Sequence, residues 1–330
     1  MASKLRVSAT TMPRPPQRWT EQELEADAKV STEAFVTRRK AERAQREQAI
    51  AEHSPEYRQD FLDLLTSTND LREVTGVSLR DRRLLRAARF VAVPFISDDD
   101  LDSLTGAHLK SWMQQTTERG ERPSDDDFDA AAEVITQQLD SYRAPWVVER
   151  RRPTRAEIER FLAGSITLRL NSRLASLRRS EAAARQEQAV RDALAAAGYA
   201  EFKGKSKTLT DPQTEMPEGT YSPRARLLAG ASVDVPIRLR AEHPTGLTFI
   251  ALEAKDTNSE VNSRKRLIEV MDKATAWNSA GLPYEFRTGA VVSGVLPLHR
   301  LAEAQDRGVW LFWEHRLQDL TALLAAPQPG

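Results

Sequence analysis

The sequence predicts an α/β protein, a mixed sheet flanked by helices, with a mostly α-helical N-terminal half. Three observations predict it. Residues 20–200 are rich in Ala, Glu, Gln and Arg and poor in breakers, which favours helix. From 230 onward, short apolar runs alternate with helix-like stretches, the pattern of a layered α/β core. Between them, "KGKSKTLTDPQTEMPEGTYSPR" is rich in turn formers and reads as loop. A chain of 330 residues holds one large or two ordinary domains. The expected division is a loose Pro-rich arm at 1–18, a helical subdomain at 19–180 and the sheet-bearing core at 181–330.

In chain order, "TEQELEADAKVSTEAFVTRRKAERAQREQAIAEHS" predicts one or two helices. "SPEYRQDFLDLLTST" predicts a fresh start, with Ser54 as cap and Pro55 at the first helical position. "PSDDDFDAAAEVITQQLDSY" places acids in its first turn, where they complement the helix dipole. Thr154 and Glu157 stand at capping-box spacing at the head of "TRAEIERFLAGSITLRLNSRLASLRRS". "EAAARQEQAVRDALAAAGY" predicts a helix stopped at Gly198. "ASVDVPIRLR" alternates Val233, Val235, Ile237 and Leu239 on one face, and Pro236 inside it argues for an edge strand or a bulge. "AEHPTG" suits a hairpin leading to "GLTFIALEAK". Thr257 and Glu260 read as a capping box for a helix that ends before Gly281. A strand "TGAVVSGVL", a short helix with Pro297 near its start, a strand "VWLFWEH" and a helix "RLQDLTALLAA" complete the order.

Composition removes several chemistries. With no cysteine, disulfides, thiol catalysis and thiolate zinc sites are excluded. The five histidines, at 53, 108, 243, 299 and 315, show no paired ligand spacing. There is no GxxxxGK[ST], so no nucleotide cofactor is expected. No apolar run reaches the ~20 residues that span a bilayer, and the start lacks a secretory apolar region. A soluble cytoplasmic protein with no membrane partner is expected. Net charge is zero, but its distribution is uneven. From Arg143 to Arg179 ten Arg stand against three Glu, after acidic "SDDDLD" at 97–102 and "SDDDFD" at 124–129. Solvated faces account for such runs. A basic stripe offset by acid elsewhere also suits a protein that grips phosphate when docked.

Asp234, Glu253 and Lys255 are charges inside or ending core-like strands, where charges are uncommon. If the two runs pair as a hairpin, Asp234 and Glu253 come side by side, and Lys255 points to the same side as Glu253. Mg²⁺ takes oxygen ligands and needs only one or two carboxylates besides a substrate phosphate. Lys255 would then orient or help deprotonate an attacking water and offset charge in a phosphoryl transition state. The reaction class is phosphodiester hydrolysis. The chain has 38 Arg and ten Lys, so a Lys at this place is a selective choice. An ordinary exposed ion pair at a strand end is the other reading.

Asp234 followed nineteen residues on by Glu253-Ala254-Lys255 resembles the PD-(D/E)XK nuclease signature, with Val233 in place of the proline. "EQAVRDALAAAGY" sets Glu187, Val190, Leu194 and Gly198 at the spacing of that family's first core helix. "EAKDTNSEVNSRKRLIEVMDKATAW" is similar to the XamI-type restriction endonucleases, mainly over 230–280. The resemblance implies a restriction-endonuclease-like fold and a type II restriction endonuclease. Such an enzyme is Mg²⁺-dependent and homodimeric and cuts double-stranded DNA at a short palindrome, for which the relatives suggest GTCGAC. It also makes Glu187 a candidate metal ligand beside Asp234 and Glu253; a surface glutamate on an Ala-rich helix is the alternative. Asn258, Ser259, Asn262, Arg264, Lys265 and Arg266 are candidate DNA contacts. A helix N-terminus can meet phosphate, and Asn and Arg can read adenine and guanine edges. A normal N-cap with a solvated basic face is the alternative. "KGKSK" at 203–207 reads as a flexible loop. Two further readings stand: a repair or defence nuclease of the same fold without strict specificity, and a non-catalytic DNA-binding protein on a degenerate nuclease core.

Overall fold

The computed structural model describes residues 18–115, 122–204, 206–241, 243–257, 259–282 and 284–325. The arm expected at 1–18 lies, apart from Arg18, outside these residues. The elements run α1 (Glu21–Ser67), α2 (Arg82–Ala88), α3 (Asp98–Thr105), α4 (Leu109–Gln114), α5 (Asp125–Gln137), α6 (Pro145–Val148) and α7 (Arg155–Ala196). Then come β1 (Ala200–Glu201), β2 (Thr208–Leu209), α8 (Pro212–Glu215), β3 (Thr220–Tyr221), β4 (Arg226–Leu228), β5 (Ala231–Val233) and β6 (Val235–Arg238). The rest are β7 (Phe249–Thr257), α9 (Glu260–Ser279), β8 (Phe286–Gly294), α10 (Leu298–Asp306), β9 (Trp310–Trp313) and α11 (Gln318–Leu324). This is the mixed α/β fold with a helical N-terminal half that the sequence predicts.

The chain divides into two units, one of residues 42–178 and one of 1–41 with 179–330. The expected boundary put 19–41 with the helical half. Trp19, Leu24 and Ala28 instead pack with Leu267, Val270 and Trp313 of the sheet unit.

The helical unit closes on Phe61, Leu64, Leu85, Trp112, Phe128, Trp146 and Phe161. Both acidic runs start helices: Ser97 and Asp100, and Ser124 and Asp127, form reciprocal capping boxes at α3 and α5. Of the ten arginines at 143–179, six are exposed and Arg169 alone is buried, but Arg143, Arg151 and Arg169 are held by defined partners. Arg143 donates to Asp140, Ser165 and the carbonyls of Phe90 and Ala92. Arg169 donates to Asp60 and lies over the Tyr57 ring. Arg151 bonds Glu157 and Glu149.

Two predicted helix starts are absent. α1 passes through Pro55 without a break. The proline forfeits one backbone bond, and the burial of Tyr57, Phe61, Leu64 and Leu65 in the next turns holds the helix together. α7 is likewise continuous past Glu181, since no Gly or Pro interrupts it between Gly164 and Gly198. Its start is the expected Thr154–Glu157 box.

The sheet unit holds a sheet in the order β1-β3-β6-β7-β8-β9 and a smaller one, β2-β4-β5. β6 pairs antiparallel with β3 and β7, as the hairpin reading required. β7 and β8 pair in parallel over nine residues, from Phe249↔Phe286 to Thr257↔Gly294. α9 and α10 supply the crossovers that the parallel pairs β7/β8 and β8/β9 need. β7 alternates sides. Ile250 and Leu252 pack with Val190 and Leu194 of α7, while Phe249 and Ala251 pack with Trp277 of α9.

Pro236 is neither at an edge nor in a terminal strand; β6 lies between β3 and β7. Its carbonyl still accepts from Ser222 N–H (2.9 Å), so the interior position costs the ladder one donor. The α9 cap is Ser259, not Thr257. Thr257 is still in β7, and its hydroxyl bonds the Ser293 and Val295 carbonyls. Sheet pairing there overrides the local capping signal.

Candidate active site

β5 and β6 meet at Asp234. The β6–β7 register, with Val235 opposite Leu252, brings Asp234 level with Glu253. Two reciprocal bonds lock the crossing. Asp234 N–H donates to Glu253 Oε1 (3.3 Å), and Ala254 N–H donates to Asp234 Oδ2 (3.0 Å). Lys255 Nζ then lies 2.7 Å from Asp234 Oδ2 and 2.9 Å from Glu253 Oε2. The side-chain alternation of β7 puts Glu253 and Lys255 on the α9 side, with Phe249 and Ala251.

The site is buried on one side and open on the other, with Asp234 the most exposed of its members. Glu253 is fully buried and Lys255 largely so. Burial alone would pull the Lys255 ammonium down, but the Glu253 and Asp234 carboxylates outweigh it and hold Lys255 above its ordinary value. Among the described residues, no group of three or more His, Asp or Glu is arranged to hold a metal ion. The two carboxylates nevertheless fit one. Asp234 Oδ2 and Glu253 Oε2 already converge on a single cationic atom, and oxygen donors suit a hard divalent ion.

A fourth residue completes the cluster. Lys273 Nζ lies 2.6 Å from Glu253 Oε2 and donates to the Ser232 carbonyl at 2.6 Å. Sequence reading missed it. A signal existed: Lys273 falls three residues after Val270 and four before Trp277, on the buried stripe of α9.

Glu187 is not brought to this cluster. It lies exposed on α7, 3.3 Å from Arg191, on the helix that covers the opposite face of β7. Its buried neighbour Gln186 faces the sheet and donates to the Val291 carbonyl (3.2 Å). On that face Asp256 accepts from Ser293 (2.5 Å), and Arg185 spans Asp256 (3.5 Å) and Glu314 (2.9 Å). The DNA candidates sit at the head of α9. Ser259 accepts from Asn262 N–H (3.3 Å), and Asn262, Arg264, Lys265 and Arg266 are exposed, Arg266 being paired with Glu269 (3.0 Å). Asn258 lies outside the described residues.

Two carboxylates and a lysine converging on neighbouring central strands of a mixed sheet, with a helical half before them, define a restriction-endonuclease-like protein. The model of the XamI restriction endonuclease family matches residues 69–313. The type II restriction enzyme XamI of Xanthomonas campestris pv. amaranthicola is 30% identical over 257 residues, 76% of this chain and 87% of that enzyme. The chain belongs to the XamI restriction endonuclease family, which implies a nuclease acting on the phosphodiester bonds of DNA. No solved structure matches the chain significantly. Among the described residues, no helix is long and apolar enough to cross a membrane.

Proposed function

We propose that the chain is a type II restriction endonuclease, a homodimer of the cytoplasm that uses Mg²⁺ to cut both strands of DNA at a short palindrome. GTCGAC is the first site to test. The observation that supports this best is the convergence of Asp234 Oδ2 and Glu253 Oε2 on one cationic atom at neighbouring strands.

Asp234 and Glu253 would hold the metal. Bound there, Mg²⁺ would supply Lewis acidity at the phosphoryl oxygen and make a water more acidic. Lys255, kept as an ammonium by its two carboxylates, would orient the attacking water and offset negative charge on the phosphorane-like transition state. That charge state makes it a poor acceptor of the water's proton. Ser259 and the exposed Asn262, Arg264, Lys265 and Arg266 would meet phosphate and base edges from the head of α9. A palindrome repeats on both strands, so two copies related by a twofold axis would place one site at each strand.

Purified protein with Mg²⁺ should cut plasmid DNA into discrete fragments, and EDTA should stop it. Glu253→Ala and Lys255→Ala should each slow cleavage at least about 100-fold while DNA binding persists. Smeared degradation without site preference would replace this reading with a general nuclease. No cleavage with Mg²⁺ or Mn²⁺ on any DNA would leave a DNA-binding protein.

A further inference from the structure

We propose that Lys273 is a positioning residue that holds Glu253 and, by its fixed charge, keeps the affinity for divalent metal low in the absence of DNA. The inference rests on the metal-dependent reading above and adds to it a residue outside the sequence motif.

The two lysines of the cluster are bound differently. Lys255 Nζ bridges Asp234 Oδ2 and Glu253 Oε2, the same two oxygens that would hold the metal. Its place is therefore the one a metal would contest. Lys273 touches Glu253 at 2.6 Å, and its second bond is to the Ser232 carbonyl, also at 2.6 Å. Its stem rises from α9 on the turn between Val270 and Trp277, both fully buried. Lys273 is thus anchored independently of Lys255 and can stay on Glu253 when Lys255 moves.

The balance of charge sets the affinity. Asp234 and Glu253 carry two negative charges, and Lys255 and Lys273 carry two positive ones. A buried carboxylate needs such a partner to be tolerated. With the cluster already neutral, an incoming divalent ion meets a like-charged ammonium on the very oxygen it would use, in a region of weak screening. The negative charge that restores the balance is the DNA phosphate. Lys273 thereby ties metal uptake to the presence of substrate, and it does so by charge rather than by shape.

Calorimetric titration of Mn²⁺ into the full chain tests this. Without DNA, Lys273→Gln should bind Mn²⁺ at least about tenfold more tightly than the unsubstituted protein, and Lys273→Arg should match the unsubstituted protein. With a duplex containing the cleavage site, and Ca²⁺ titrated in place of Mn²⁺ to prevent cleavage, the difference between Lys273→Gln and the unsubstituted protein should shrink. Lys273→Met keeps the aliphatic stem beside Val270 and Trp277 and answers the same question should the Gln variant fail to fold. Equal or weaker Mn²⁺ binding by a folded neutral variant overturns the role of Lys273 and leaves the metal-dependent reading standing. Failure of the unsubstituted protein and both neutral variants to take up Mn²⁺, with or without DNA, overturns both.

Discussion

The indole N–H of Trp277 donates to the Leu228 carbonyl across 2.9 Å, joining α9 to β4 of the smaller sheet. Trp277 is fully buried and packs against Phe249 and Ala251 of β7. The helix that carries Lys273 is therefore seated by a large aromatic side chain one turn further on. Trp277→Ala should cost about 3–5 kcal/mol in urea unfolding. Trp277→Phe keeps most of the buried surface but orphans the Leu228 carbonyl, and should cost about 1–3 kcal/mol. Equal losses for the two variants would show that the hydrogen bond, not the packing, seats the helix.

Gly294 ends β8 at φ +94°, and a Cβ there would lie 1.8 Å from the Thr257 carbonyl oxygen. Its N–H also donates to Ser31 Oγ at 2.8 Å, so the backbone has little room to retreat. Gly294→Ala should lower stability by at least about 2 kcal/mol. Gly230 also has positive φ, at +83°, but open space around it. Gly230→Ala should cost about 1–2 kcal/mol, from the backbone conformation alone, and less than Gly294→Ala. Thermal melts of the two variants check the contrast.

Burial pushes the Glu314 carboxyl up, but the hydrogen bond and charge of Arg185, with the Arg38 charge nearby, outweigh it and hold Glu314 below its usual range. A depressed native value means that the unfolded chain takes up the proton first as pH falls. Stability from this group is therefore full above the ordinary carboxylate range and drains away as pH drops through the native value. Glu314→Gln should cost about 1–3 kcal/mol at neutral pH, with the difference closing in acid. Chemical unfolding at several pH values measures it, and a gap that stays constant into acid would contradict the assignment.

Arg264 and Lys265 are exposed at the head of α9. If each meets a phosphate, Arg264→Ala and Lys265→Ala should each reduce the slope of log affinity against log salt by about one unit. Binding to a short duplex at several salt concentrations reads this directly. Unchanged slopes would move the DNA contact elsewhere.

Local patterns in the sequence were enough to find β6 to β9, α9, α10 and the pairing of Asp234 with Glu253, because a hairpin register and a period of two settle those positions, but β2, α8 and β3 form inside the stretch that reads as loop. What they could not settle depends on contacts between distant segments. Lys273 reaches Glu253 only because α9 folds back over β7, twenty residues later in the chain. Glu187 and Gln186 are neighbours in sequence, yet packing turns Gln186 inward and leaves Glu187 beside Arg191 in solvent. Pro55 and Thr257 carried strong local stop or start signals, and tertiary packing overruled both. The acidic run at 97–102 read only as charge, although Ser97 caps α3, whereas the run at 124–129 was legible as a helix start.

The alternation along β7 sends Ile250 and Leu252 to one side and Glu253 and Lys255 to the other side. A single residue inserted or deleted between Phe249 and Glu253 would exchange those sides. The hydrophobic contacts with α7 and the carboxylate–lysine cluster would then be lost together. The connection into β7 is anchored as well: Leu239 and His243 are buried, His243 bonds the Leu323 carbonyl (2.8 Å), and Arg240 donates to the Ala197 and Gly198 carbonyls. Chemistry and core share one reading frame in this strand, and neither can be shifted without the other.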